Sequence, residues 1–230
     1  MVNFQDRWNS QNKGLAYTTD SGSFVMKVDN TNWLQEGSYR DSTRITSQEK
    51  FKKGNLLILD AQHMPYGCGT WPAFWSTGTD WPWNGEIDII EGVNNNNRNQ
   101  MTLHTRPGCE ISSQNLGAGQ VIHESCDAFY NDNVGCGVRD PSTKSYGKGF
   151  NAGGGGVYAT LWDDDGISIW FFARNNIPAD IQSRSPNPSR WGKPRAVFSS
   201  NDCNIADFFG DQTIVIVSFC HNYRPAPEGG

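Results

Sequence analysis

Residues 81–94 read WPWNGEIDIIEGVN, and the run EIDIIE inside them decides how the chain folds. Ile87, Ile89 and Ile90 call for a buried β-strand, yet Glu86, Asp88 and Glu91 sit among them. Side chains along a strand alternate between its faces, so Glu86 and Asp88 point one way while Ile87 and Ile89 point the other. Strict alternation would put Glu91 with the isoleucines, where an ionised carboxylate is costly. One extra residue inserted as a β-bulge after Asp88 returns Glu91 to the acid face. The odd spacing therefore predicts a bulged strand, apolar on one side and triply acidic on the other.

Five strand steps of about 3.3 Å span roughly 16 Å, less after a bulge. Two glutamates leaning together then bring their carboxyls to about 5 to 6 Å, near the roughly 5 to 5.5 Å of retaining glycoside hydrolysis. Asp88, between them, is placed to share a proton or to orient a nucleophile. Crowded acids shift one another's pKa values, which keeps one protonated while another stays ionised. Taken alone, E-x-D-x-x-E also suits a calcium site or a solvated edge strand.

The segment just upstream, GCGTWPAFWSTGTDWPW, concentrates Trp71, Phe74, Trp75, Trp81 and Trp83. A single tryptophan usually packs in a core because it buries so much area. A group of them beside carboxylates suits a platform for sugar rings. His104, in MTLHT, is expected at the centre of a strand that hairpins back beside EIDIIEG through the polar NNNNRNQ turn, within reach of an acid or a sugar hydroxyl. An ordinary packed histidine is the alternative.

Further strand-like runs recur: SFVMKVD, NLLILDAQH, GVYATLW, GISIWFF and TIVIVSF, separated by Gly, Asn, Asp, Ser and Pro clusters. Helical periodicity is nearly absent. Many strands at hairpin spacing, with little helix to cover a parallel sheet, predict an all-β fold: an antiparallel β-sandwich or jelly roll in one domain over residues 1–230. The run LWDDDGISIW lacks the spaced ligands and late Glu of an EF-hand and reads as a hairpin turn at Asp165-Gly166. No Gly-x-Ser-x-Gly nucleophile elbow is present.

The chain has 230 residues, 36% hydrophobic and 12% aromatic, ample for a real core. Its net charge is −5, and Lys and Arg are scattered, which leaves no electrostatic footprint for nucleic acid or an anionic membrane surface. No run of eighteen apolar residues occurs, so neither a membrane span nor a signal peptide is read here. Six cysteines without a CxxC pair or zinc-finger spacing favour disulfides, and with them an oxidising, extracellular destination. Fifteen connectivities remain open.

The motif NGEIDIIEG resembles the active-site strand of glycoside hydrolase family 16, and residues 63–105, from HMPYGCGTWPAFW to MTLHT, look like its fungal laminarinase branch. The likeness extends more loosely through SYGKGFNAGGGGVYA, IWFFARNNIPADI, AVFSSNDCNIADFFG and TIVIVSFC. The resemblance implies a β-jelly roll with an open cleft on its concave sheet and retaining endo-hydrolysis of β-1,3 or mixed β-1,3/1,4 glucans. It implies Glu86 as nucleophile, Glu91 as general acid/base and Asp88 as their helper. Trp71, Trp75 and Trp81 match sugar-binding tryptophans of the pattern, and His104 matches a histidine lining the cleft.

After Cys220 the family usually has a Gly-Asp-Trp-like stretch; here HNYRPAPEGG puts Tyr223 at the tryptophan's place as the contact at that end. Family members normally begin with a further strand and run past this C-terminus, so the resemblance also implies a chain lacking terminal segments. The expected partner is a β-glucan, with no nucleic acid, no membrane, no metal and no cofactor, and the expected state is a secreted monomer. The alternatives are a glucan-binding protein with little turnover and a transglycosylase.

Overall fold

The computed structural model describes residues 2–35, 37–114 and 116–218. Fourteen strands are defined among them: β1 (Asn3–Phe4), β2 (Ala16–Thr18), β3 (Phe24–Met26), β4 (Asp41–Phe51), β5 (Leu56–Ala61), β6 (Ala73–Thr77), β7 (Glu86–Glu91), β8 (Gln100–His104), β9 (Gln120–His123), β10 (Cys136–Arg139), β11 (Gly156–Trp162), β12 (Gly166–Ala173), β13 (Ala196–Ser199) and β14 (Gln212–Ser218). Eight form one sheet in the order β1-β4-β14-β6-β7-β8-β10-β9, and four form a second, β13-β12-β11-β5. Apart from the short parallel pairing of β1 with β4, the ladders are antiparallel. The strand β7 is central in the larger sheet.

The two sheets pack face to face in a β-sandwich of the jelly-roll class. Ile87, Ile89, Met101, Leu103 and Val138 of the larger sheet share one buried cluster with Tyr158, Trp162, Ile167, Ile169, Phe171 and Phe198 of the smaller. The smaller sheet is covered on its outer side as well. Trp191 meets Trp170 and Phe172 edge-on there, closing a second cluster with Ala159. Coverage on both faces explains why GVYATLW and GISIWFF read as near-continuous apolar runs. They form the hairpin β11·β12, closed by residues 163–165 at the predicted Asp165-Gly166 turn.

The outer face of the larger sheet carries the polar residues. Paired residues across an antiparallel ladder face the same side, so the registers place Arg44, Thr46 and Lys50 of β4, Val215 and Val217 of β14, and Trp75 and Thr77 of β6 on the face of Glu86 and Asp88. Two disulfides, Cys109–Cys203 and Cys126–Cys136, realise the cysteine reading. Cys68 is exposed and has no disulfide partner among the described residues, and Cys220 lies outside them.

Candidate active site

The bulge is where the spacing puts it. Against β6, Asp88 pairs with Trp75 and Ile90 with Phe74, which leaves Ile89 as the extra residue. Against β8, Asp88 pairs with Thr102 and Glu91 with Gln100, so Ile89 and Ile90 together oppose Met101. Glu86, Asp88 and Glu91 therefore share one face, while Ile87, Ile89 and Ile90 are buried on the other.

Glycines at both ends of the strand let it seat so tightly. A Cβ on Gly85, whose φ is +71°, would lie 2.3 Å from the Phe209 ring, and one on Gly92 would lie 2.7 Å from that of Tyr146. No other residue fits either place without moving a buried aromatic ring.

Asp88 is only 3% exposed. Its Oδ2 lies 3.4 Å from His104 Nε2, within ion-pair range, yet it has no hydrogen-bond partner there. His104 Nδ1 meets Asn133 Oδ1 at 2.8 Å, which fixes the ring. The structure corrects one expectation: His104 is the last residue of β8, paired with Glu86, and not at the strand's centre. The short MTLHT run sits further toward the NNNNRNQ turn than its centre suggests.

Burial, then repulsion by Asp88 and Glu91, pushes the Glu86 carboxyl up to about 8, opposed by His104 and a hydrogen bond with Trp81. Burial, then Glu91, pushes Asp88 well above the usual carboxylate range, opposed by its hydrogen bond with Glu86. Two neighbouring carboxyls raised together favour a shared proton.

The tryptophans divide. Trp71 donates its indole N–H to Glu91 Oε1 at 2.9 Å and is 36% exposed. Trp81, 44% exposed, stands near enough to Glu86 to favour its ionised form, so each glutamate has an indole beside it. Trp75 is half-buried, with the Arg44 guanidinium 5.1 Å from its ring centre, a contact that competes with a sugar for that face. Arg44 itself had no sequence signal, since it sits in a polar stretch. Tyr223 lies outside the described residues.

Glu86, Asp88 and His104 also offer three donor atoms within 4.8 Å of one another. Calcium takes about six to eight oxygen ligands, and two carboxylates with one imidazole fall short of that set. The arrangement suits proton and glycosyl transfer between paired carboxyls.

A family model described as "XgeA-like, catalytic GH16 domain" matches residues 1–227. The chain belongs to glycoside hydrolase family 16. Within the family it is 44% identical over 226 residues to a probable glycosidase of Schizosaccharomyces pombe, covering 96% of this chain and 53% of that protein. It is 40% identical over 225 residues to an endo-1,3(4)-β-glucanase of Arthroderma benhamiae, covering 95% and 49%. The chain thus spans about half the length of these two relatives.

Among solved family 16 structures, laminarinase 16A of Phanerochaete chrysosporium, with 6-O-glucosyl-laminaritriose in its donor and acceptor sites, superposes with a TM-score of 0.91 at 39% identity, covering 96% of this chain and 76% of that one. An elongating family 16 β-1,3-glucosyltransferase gives 0.88 at 40% identity, covering 95% and 73%.

Proposed function

We propose that this chain is the catalytic domain of a secreted, retaining endo-hydrolase of β-1,3 or mixed β-1,3/1,4 glucans. The observation that carries the reading is the bulge at Ile89, which turns Glu91 onto the face of Glu86 and Asp88. Glu86 attacks the anomeric carbon while Glu91 protonates the departing glycosidic oxygen. In the second half, Glu91 deprotonates the water that hydrolyses the glycosyl-enzyme.

Attack requires an ionised Glu86. The shared proton rests on Asp88, the more deeply buried of the pair, whose neutral carboxyl then donates to Glu86 and no longer repels it. His104, held by Asn133, keeps Asp88 in place. Trp71 and Trp81 stand beside the two glutamates and offer exposed ring faces to sugar. The chemistry needs no cofactor and no second chain. Two buried disulfides support an extracellular setting.

A reducing-sugar assay on laminarin and on mixed-linkage β-glucan tests the proposal. Wild type should release reducing ends, and Glu86→Gln and Glu91→Gln should each lose hydrolysis while still binding glucan. Substantial turnover in either variant would sink the assignment. Transglycosylation is the second reading, supported by the likeness to the elongating glucosyltransferase. It predicts products longer than the substrate at high oligosaccharide concentration.

A further inference from the structure

We propose that Asn99 is the positioning residue for Glu91, its side-chain amide standing in for the strand backbone that the bulge leaves out. This rests on the reading of Glu91 as the acid/base. A bulge disrupts the ladder locally and leaves backbone groups without their regular partners, and buried backbone groups need replacements. At this bulge two residues, Ile89 and Ile90, face the single Met101 of β8. Asn99, the residue before β8, supplies the missing partners: its Nδ2 donates to the Ile89 carbonyl at 2.7 Å, and its Oδ1 accepts from the Glu91 N–H at 3.1 Å.

A primary amide carries the donor and acceptor of a peptide group, which is what an absent backbone step would have offered. The amide's orientation follows from its partners, since a flip would set donor against donor at Glu91 and acceptor against acceptor at Ile89. Asn99 is fully buried.

Its backbone is pinned from a distant part of the chain. The Asn99 N–H donates to Ser145 Oγ at 2.9 Å, and its carbonyl accepts from the Asp140 N–H at 2.9 Å. The neighbouring Tyr146 hydroxyl donates to the Gly92 carbonyl at 2.8 Å, one residue past Glu91. Segment 140–146 thus holds the exit of the bulge while Asn99 holds its centre. Without the amide, the strand is free to relax toward regular pairing, which turns Glu91 toward the isoleucine face. Glu86 and Asp88, before the bulge, keep their places.

The defect should therefore fall on protonation of the leaving group and spare nucleophilic attack. Two substrates separate these steps: laminarin, whose alcohol leaving group needs a proton, and the 2,4-dinitrophenyl β-glycoside of laminaribiose, whose phenolate leaves without one. In folded Asn99→Ala, kcat/KM on laminarin should fall about 100-fold, the scale of a misplaced catalytic group, with a loss under about 10-fold on the aryl glycoside. Equal losses on both substrates, or a laminarin loss below about 5-fold, would overturn the proposal.

Glu91→Ala is the control: on the aryl glycoside its kcat/KM, which reports the first step alone, should be spared, while kcat falls because the glycosyl-enzyme loses its base. If kcat/KM is not spared, the acid/base reading of Glu91 fails and takes this proposal with it, an outcome distinct from failure of Asn99 alone. Should Asn99→Ala not fold, Asn99→Asp serves. Around position 99 the titratable and charged groups are Glu91 on β7, Tyr146, Arg98, and Asp140 with Arg195 at 3.5 Å. A protonated carboxyl there mimics the amide, whereas an ionised one repels the Ile89 carbonyl. Burial beside Glu91 and Asp140 raises that carboxyl's pKa, so the variant's laminarin activity relative to wild type should fall at least about ten-fold between roughly pH 5 and pH 9, and a flat ratio would overturn the proposal.

Discussion

Replacing Glu86 by Gln should make the protein more stable at neutral and alkaline pH while it abolishes hydrolysis. Burial and the neighbouring acids raise Glu86 from an ordinary 4.5 to about 8. A carboxyl raised on folding costs nothing below its unfolded pKa, because it is protonated in both states. As pH climbs from about 4.5 to about 8 the unfolded chain releases a proton that the folded chain retains, so stability falls through that window and levels off above it. One retained proton corresponds to about 1.4 kcal/mol per pH unit, which bounds the cost at about 5 kcal/mol at pH 8. Asp88 beside it shares the proton, so the measured difference should lie below that bound. Urea unfolding of wild type and Glu86→Gln at several pH values between 4.5 and 8.5 measures the difference. The curves should meet near pH 4.5 and diverge with the variant on top. Parallel curves, or a variant that is less stable at pH 8, would refute the reasoning.

Other outcomes follow from single contacts. Trp71→Phe keeps an aromatic face but removes the donor to Glu91 Oε1; a hydrogen bond to a charged group is worth about 1.5–3 kcal/mol, so kcat on laminarin should drop about ten-fold or more with a smaller change in KM. Gly85→Ala drives a methyl into the Phe209 ring at a positive φ and should cost on the order of 1–3 kcal/mol in urea unfolding. EDTA should leave laminarin hydrolysis unchanged; a loss restored by a divalent cation would assign Glu86, Asp88 and His104 to a metal.

The sandwich was legible wherever strands are buried on one or both faces, and the acid strand with its bulge could be read because an acid on the apolar phase is too costly to leave there. The strand β4 was not legible. Its sequence DSTRITSQEKF is polar and loses period where residues 47–49 oppose Ile214 alone, with the Ser47 hydroxyl accepting from the Ile214 N–H at 2.9 Å. The strand β6 lay hidden in the aromatic segment because its tryptophan drew attention as a sugar platform; no local signal shows that Arg44, 31 positions earlier, covers that ring. Asn99 looked like one more turn asparagine in NNNNRN. Its role comes from Ser145 and Asp140, which only the fold brings to it.

The central claim is that Glu86 forms a covalent bond to sugar. A 2-deoxy-2-fluoro β-laminaribiosyl fluoride should form a glycosyl-enzyme that persists, because the fluorine slows both steps and the fluoride leaving group restores the first. Mass spectrometry of the intact chain, then of its peptides, is the measurement. The account predicts one added disaccharide, carried by the peptide containing NGEIDIIEG and located on Glu86. Label on Glu91, or turnover of the natural glucan with inverted configuration and no adduct, would contradict it.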